Sequence, residues 1–466
     1  MPSRNHITAN ALLGRNPKAW HDGSKTLTYS FLENVMPDYV KTRDTDHDGK
    51  TDFYLPLSTD RIRVGAGFSM TDTERDLTRQ AVAAWNDVAH INLVEGTVQG
   101  GFGDITFGSA AFADQDTFGF ITRFPRPVSL GQADNRGDLW INSNNPDQAV
   151  NEIGHTSWNT YLHEMGHTLG LHHPNEDPEN YDGLAHNNNR YTVMSYNPHP
   201  GERGVAYEDQ AWPLTPMLYD IQALQKLYGA NTDTRAQNTV YFGDGTGQRE
   251  QVWQYGADDM TLLGRHVILT IWDGGGRDLV DGSDLSMAVK IDLRPAHYST
   301  IGGLNNNIAM AAAVRVEGRI VNWIENAWGS RFGDTLQGNA VNNFLRGGQG
   351  NDRLFGHLGR DMLVGNKGSD TLNGGGGNDK LVGGPGQDVF VFNAKGGKDT
   401  IADFTDDIDT IRLDHALWQG SLSKQQVIDT YADVVGHDIV FDFGQDRLTL
   451  KGVTDLAALH NDLQII

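Results

Sequence analysis

Gly347-Gly348-Gln349-Gly350-Asn351-Asp352-Arg353-Leu354-Phe355 is one unit of a nine-residue repeat that runs without a gap from Gly329 to Val391. Seven units fit in that stretch. Their first positions are Gly329, Gly338, Gly347, Gly356, Gly365, Gly374 and Gly383. Their sixth positions are Asp334, Asn343, Asp352, Asp361, Asp370, Asp379 and Asp388, and their eighth are Leu336, Leu345, Leu354, Leu363, Leu372, Leu381 and Phe390. Glycines let the chain turn tightly and bring carbonyls inward. The short apolar stretch makes a strand with one side chain facing a thin core. The alternative, a flexible glycine-rich linker, has no reason to keep a Leu every nine residues. Two units complete one coil, so loops stack on each side and their carboxylates line up.

A row of carboxylates among inward carbonyls is a hard-oxygen environment suited to Ca²⁺. The pattern is the parallel β-roll of RTX repeats. The expected calcium residues are Gly347, Gly348, Gly350 and Asp352; Gly356, Gly359 and Asp361; Gly365, Gly368 and Asp370; Gly374, Gly375, Gly377 and Asp379; and Gly383, Gly384, Gly386 and Asp388. Such a roll has little apolar core, so its folding is expected to be coupled to calcium. The first two units carry Phe332 and Val341 at the fourth position, and Asn343 in place of Asp, and read as a cap with weaker sites. Beyond the roll, Asp399–Ile401, Asp409–Leu413, Asp438–Phe443 and Leu448–Leu450 read as closing strands.

The rest of the 466-residue chain narrows the function classes. The net charge of −23 argues against nucleic acid and anionic membrane surfaces as partners. No cysteine is present, which removes disulfides, thiolate metal sites and cysteine nucleophiles together. No run of 18 apolar residues exists, so no membrane-spanning helix is expected. Residues 1–20 lack an apolar signal core. In the first half, Leu27–Phe31, Ile105–Phe107, Phe118–Phe124 and Leu139–Ile141 read as strands. Thr71-x-x-Glu74 is a capping box opening a helix with Leu77, Ala81, Trp85 and Val88 on one face. Residues 159–169 read as a helix stopped by Gly170. Thr215-Pro216 reads as the cap of another, with Leu218, Ile221, Leu224 and Leu227 inward and Gly229 as its stop.

His163-Glu164-Met165-Gly166-His167-Thr168-Leu169-Gly170-Leu171-His172-His173 carries the chemistry. His163 and His167 lie four apart on one helix face and can reach one ion. Gly170 lets the chain turn away, and His173 swings back as third ligand. Three neutral imidazoles leave a tetrahedral zinc one open position, and Glu164 stands ready to take a proton from water there. This is the metzincin signature H-E-x-x-H-x-x-G-x-x-H. His172 reads as a neighbour of the third ligand. Tyr191-Thr192-Val193-Met194-Ser195-Tyr196 follows, with Met194, 21 residues after His173, as the hydrophobic floor of a Met-turn. Tyr196 can bring its phenol to the zinc or to a developing oxyanion.

At this point the chain resembles the serralysin family of secreted bacterial metzincins. The likeness extends to Leu27–Phe31, Asp104–Gly108, Asp220–Asn231, Thr270–Gly276 and Ile324–Ala327. It implies an α+β architecture: a metzincin-type zinc protease domain of mixed sheet plus helices, followed by an all-β parallel β-roll/β-sandwich domain. Residues 1–25 are then a short N-terminal segment and candidate propeptide, 26–230 the catalytic domain, and 231–466 the calcium-binding domain. The resemblance implies zinc endopeptidase activity on extended polypeptides, with His163, His167 and His173 as zinc ligands and Glu164 as base. Tyr196 falls on the tyrosine that ligates zinc at rest and swings to the transition state. Asp273 and Asp278 fall where the family enters its roll, as further calcium ligands. Export by type I secretion machinery is implied, directed by an uncleaved C-terminal signal similar to Asn461–Ile466 and ending outside the cell. A proteinaceous periplasmic inhibitor is a frequent partner in the family, and a monomer is expected.

Asp44-Thr45-Asp46-His47-Asp48-Gly49-Lys50-Thr51-Asp52 departs from the family pattern. It resembles an EF-hand loop, yet position 12 is Leu55, not Glu. A calcium-binding turn and a solvated acidic loop both stay open. Substrate is expected antiparallel to an edge strand, which the resemblance to the family places near Phe118–Phe124. Rival functions are a non-catalytic RTX adhesin or binding module, another metallohydrolase using the same triad, and a pore-forming toxin. The toxin would need apolar helical segments that the sequence lacks.

Overall fold

The computed structural model describes residues 11–13, 26–32, 41–43, 52–56, 61–64, 69–96, 104–112, 115, 117–121, 138–148, 150–176, 185–243, 250–252, 261–262 and 265–466. The described parts of 1–234 and 263–272 form one compact unit, and those of 235–262 and 273–466 form another. The boundary expected at residue 230 falls just short of the first crossing. The return of 263–272 is held by Leu214 N–H on the Ile268 carbonyl (2.8 Å) and by Trp272 Nε1–H on the Asn231 carbonyl (2.8 Å).

The first unit is built on a five-stranded sheet. Its strands are β1 (Leu27–Phe31), β2 (Leu93–Glu95), β3 (Ile105–Ala110), β4 (Gly119–Ile121) and β5 (Leu139–Asn142). The order is β2-β1-β3-β5-β4. All neighbours run parallel except β4, which lies antiparallel to β5 at the edge. The expected edge strand is therefore present over Gly119–Ile121, while residues 122–124 lie outside the described set. So do residues 44–51 of the acidic loop, whose position 12, Leu55, falls within the strand Asp52–Pro56. Most of the 1–25 segment is also outside it.

Helix α1 (Asp72–Val88) starts where the capping box predicts: Thr71 accepts from Glu74 N–H and Glu74 closes back on the Thr71 N–H (2.7 Å). Leu77, Ala81, Trp85 and Val88 are buried as the period requires. Helix α2 (Thr156–Thr168) begins three residues earlier than expected, and all 13 of its residues are buried. A helix with no exposed face has no amphipathic period to mark its start. Gly170, at φ 101°, ends it in the left-handed region that glycine favours. Helix α3 (Leu218–Tyr228) corrects the reading of Thr215-Pro216 as its cap. The N-cap is Met217, whose N–H donates to the Asp220 carboxylate (2.8 Å), and Leu227 is only half-buried.

The second unit carries an eleven-stranded and a seven-stranded sheet. Alternate repeat units alternate between them. Leu336, Leu354, Leu372 and Phe390 align in parallel register in one sheet, and Leu345, Leu363 and Leu381 align in the other. All seven are at most 1 % exposed, so the thin core is this double column. The parallel-strand coil is as the repeat predicts. Its loops stack so closely that a Cβ on Gly368 (φ 136°) would sit 1.7 Å from the Gly350 carbonyl oxygen. Among the described residues no helix is long and apolar enough to cross a membrane.

Candidate metal centre

Helix α2 places His163 and His167 one turn apart, and the turn after Gly170 returns His173 to them. The ligand atoms of these three side chains lie within 4.8 Å of one another. His163 Nε2 is 3.1 Å and His167 Nε2 3.0 Å from His173 Nε2. The other ring nitrogens fix the tautomers. His163 Nδ1–H donates to the Val193 carbonyl (2.8 Å) and His167 Nδ1–H to the Leu171 carbonyl (2.7 Å). His173 Nδ1–H donates to Glu176 Oε1 (2.5 Å). A carbonyl or carboxylate only accepts, so each Nδ1 carries the proton and each Nε2 turns a lone pair inward. Three imidazole nitrogens converging as acceptors are the donor set a cation takes. Burial, then the charge of His173, pushes the His163 pKa down to about 3, and burial likewise holds His167 well below its usual range. Neutral imidazoles in this array fit a tetrahedral zinc with one position open.

Glu164 is 6 % exposed, and its Oε2 is buried without a hydrogen-bond partner. Burial alone pushes its pKa up to about 8. An unpartnered buried carboxylate is costly unless a cation or reacting group faces it. Edge strand β4 crosses over it: a Cβ on Gly119 would lie 3.1 Å from Glu164 Cγ and 2.9 Å from the Trp140 carbonyl. Met194 is fully buried, and its sulfur occupies the space a side chain at Gly166 would need, 2.5 Å from such a Cβ. Tyr196 is 73 % exposed, yet its hydroxyl donates to His173 Nε2 (2.8 Å). The predicted residues His163, Glu164, His167, His173, Met194 and Tyr196 thus meet at one place.

Two further residues belong to the arrangement. Asp220, fully buried, accepts from Thr192 Oγ1 (2.5 Å), Val193 N–H (2.8 Å) and Met217 N–H (2.8 Å). It pins the turn whose Val193 carbonyl holds His163. Nothing local in the sequence marks this contact across 27 residues. Glu176 takes His173 on one oxygen and His172 Nδ1–H on the other (2.9 Å). These bonds, His172 first, hold its carboxyl well below the usual range. Its spacing of three from His173 was the available signal.

The second unit holds a different donor set. Asp352, Asp361, Asp370, Asp379 and Asp388 are at most 2 % exposed. Each offers Oδ1 to the backbone N–H of the sixth-position residue 18 earlier, at 2.7 to 2.9 Å. Each Oδ2 is buried with no partner. A Cβ on Gly347, Gly356, Gly365, Gly374 or Gly383 would fall 2.2 to 2.3 Å from the Oδ2 of its own unit. The first-position glycines therefore keep open a space that orphaned carboxylate oxygens and loop carbonyls share, as a calcium ion needs. Burial pushes Asp352, Asp361 and Asp388 up to about 7 and Asp370 to about 6.

The first two units differ as the sequence implies. Asp334 spends its oxygens on Val289 N–H and on Ser330. The Asn343 amide donates to the Glu325 carbonyl (3.0 Å). Neither keeps an orphan oxygen. Near the start of this unit, Asp278 retains a buried, unpartnered Oδ2, whereas Asp273 engages Tyr241 O–H and Gly275 N–H. Sequence reading passed over the fifth position, where Asn342, Asn351 and Asn378 each accept a backbone N–H from the next coil (2.8 to 2.9 Å).

A family model described as Peptidase M10 serralysin C terminal matches residues 230–463. The metalloprotease AprA of Pseudomonas entomophila is 32 % identical over 350 residues, 72 % of this chain and 64 % of its own. Serralysin of Proteus mirabilis is 34 % identical over 293 residues, 59 % of this chain and 56 % of its own. Metallopeptidase AprA of Pseudomonas marginalis is 32 % identical over 330 residues, 66 % of this chain and 64 % of its own. The chain spans less than two thirds of the length of these relatives. Among solved structures, the extracellular lipase LipA of Serratia marcescens matches at 18 % identity over 49 % of this chain and 38 % of its own, with a TM-score of 0.24, too slight to bear on the fold. The family model covers half of the sequence, and the chain belongs to the serralysin family.

Proposed function

We propose that this chain is a zinc-dependent endopeptidase acting on extended polypeptides, secreted and stabilised by calcium. The observation that carries the reading is the convergence of three neutral imidazole Nε2 atoms beside the buried Glu164, whose Oε2 has no partner. The named relatives are metalloproteases or serralysins, which supports it. His163, His167 and His173 would hold the zinc. Zinc there supplies Lewis acidity, polarising the scissile carbonyl and making water acidic near neutral pH. Strand β4 is the edge of its sheet among the described residues and offers that edge to an extended peptide, laying it across Glu164. Glu164 takes the proton from the attacking water and passes it to the leaving amine. The Tyr196 hydroxyl, released from His173 Nε2 once that lone pair faces the metal, donates to the oxyanion that develops on the carbonyl. Met194 keeps the floor dry and holds the rings in place.

In the second unit, the orphaned oxygens of Asp352, Asp361, Asp370, Asp379 and Asp388, with the loop carbonyls, would hold calcium, and Asp278 would hold a further ion. The low calcium of a cytosol leaves these carboxylates uncompensated, which suits export of a loose chain through type I machinery and folding outside. Polypeptide substrates, that machinery and a periplasmic inhibitor are the partners of this reading, and the chain acts as a monomer. Stripping the purified protein with a zinc chelator in excess calcium is expected to abolish casein hydrolysis, and one equivalent of zinc to restore it. Hydrolysis indifferent to chelation contradicts the reading. Zinc bound without any hydrolysis would make the chain a binding module instead.

A further inference from the structure

The three histidines are not held alike. His163 and His167 sit on a buried helix, and their Nδ1–H groups end on fixed backbone carbonyls. His173 lies past the helix, on the chain beyond Gly170, and its Nδ1–H ends on a side chain. That side chain, Glu176, closes the single turn Pro174–Glu176, where its N–H donates to the His173 carbonyl (3.1 Å). Adjacent side chains in extended backbone point apart. Here the turn brings one carboxylate back across two neighbours, so that Oε1 takes His173 and Oε2 takes His172.

We propose that Glu176 is the positioning residue of the third ligand, and that His172 clamps it by occupying its second oxygen. This inference rests on the zinc reading. A charged acceptor makes the imidazole it holds a stronger donor than a neutral carbonyl does, and it fixes the ring's orientation. Glu176 therefore does for His173 what the Val193 and Leu171 carbonyls do for the other two. With both oxygens engaged, the carboxylate cannot rotate away from His173. The Glu176 side chain is 42 % exposed and that of His172 28 %, so neither is part of the core. Their removal acts on the ligand and leaves the packing intact.

The test reads zinc release from the full-length, calcium-loaded protein into a chromogenic chelator, together with the visible spectrum of the cobalt-substituted form. Glu176→Ala is expected to weaken zinc binding on the order of 10- to 100-fold, seen as faster release, and to shift the cobalt bands. The melting temperature of its metal-free form stays within about 2 °C of wild type. Glu176→Asp, which keeps the charge, recovers part of the loss. His172→Ala speeds release by roughly threefold and adds nothing in the Glu176→Ala background, because its effect passes through that carboxylate. Wild-type release from Glu176→Ala, or effects of the two substitutions that multiply, overturns this inference alone. A metal-free melting temperature that drops in step with zinc loss assigns Glu176 to folding and also overturns it. A wild-type chain that takes up no zinc overturns the zinc reading and this inference with it.

Discussion

Glu164→Gln is expected to lower kcat/KM for a peptide substrate by about 10²- to 10⁴-fold with zinc binding unchanged. The substitution keeps shape and volume and removes only the ability to take a proton. The Nδ1–H groups of the three histidines end on Val193, Leu171 and Glu176, and Glu164 Oε2 has no partner, so the orientation of the metal array does not depend on Glu164. Burial opposes its negative charge in the metal-free chain, so the neutral amide is expected to leave the metal-free melting temperature equal or higher. Parallel measurements of zinc content and turnover on the two proteins check this. A variant keeping more than about a tenth of wild-type activity would assign the base elsewhere, since a positioned base contributes at least that much.

Removing calcium produces the second large effect, and its pH dependence has a definite sign. An unfolded Asp titrates near 3.9. In the folded, metal-free roll, burial raises Asp352, Asp361 and Asp388 to about 7 and Asp370 to about 6. The folded state therefore binds more protons than the unfolded one between about pH 4 and 7. Metal-free stability is greatest below that window and is lost as pH rises through it. Calcium compensates the ionised form and reverses the order. In a calcium chelator the roll is expected to melt higher at pH 5 than at pH 8. Returning calcium at pH 8, at about a hundred times its Kd, raises the melting temperature by roughly 5–10 °C per site. Circular dichroism melts under the three conditions decide it. A chelator without effect at pH 8, or metal-free stability that climbs with pH, would remove calcium from the account.

Much of this was visible in the residues because it rests on periodic or local chemistry. A Leu every nine residues has one way to be buried, so Leu336, Leu354 and Leu372 stack as the spacing requires. The Thr71 box sets the start of α1 by bonds three residues apart. The H-E-x-x-H-x-x-G-x-x-H spacing brings its own ligands together. The start of α2 was hidden because a wholly buried helix shows no period. The helix Lys424–Tyr431 went unread although Ser423 and Gln426 form its capping box, a signal that was present. The Val193 and Leu171 carbonyls that fix His163 and His167 are backbone atoms, which no side-chain pattern reports. Asp220 reaches the Met-turn only through tertiary packing. The return of 263–272 to the first unit depends on backbone pairing with 213–215, which apolar composition does not specify.

The most direct test of the central claim is X-ray absorption at the zinc edge on the purified, calcium-loaded chain, wild type beside His167→Ala. The account predicts one zinc per wild-type chain, with about three imidazole nitrogens at roughly 2.0–2.1 Å and light-atom oxygen completing the shell. It predicts loss of one imidazole, or of the zinc itself, in His167→Ala. A wild-type chain without stoichiometric zinc, or a coordination shell that His167→Ala leaves unchanged, would contradict it.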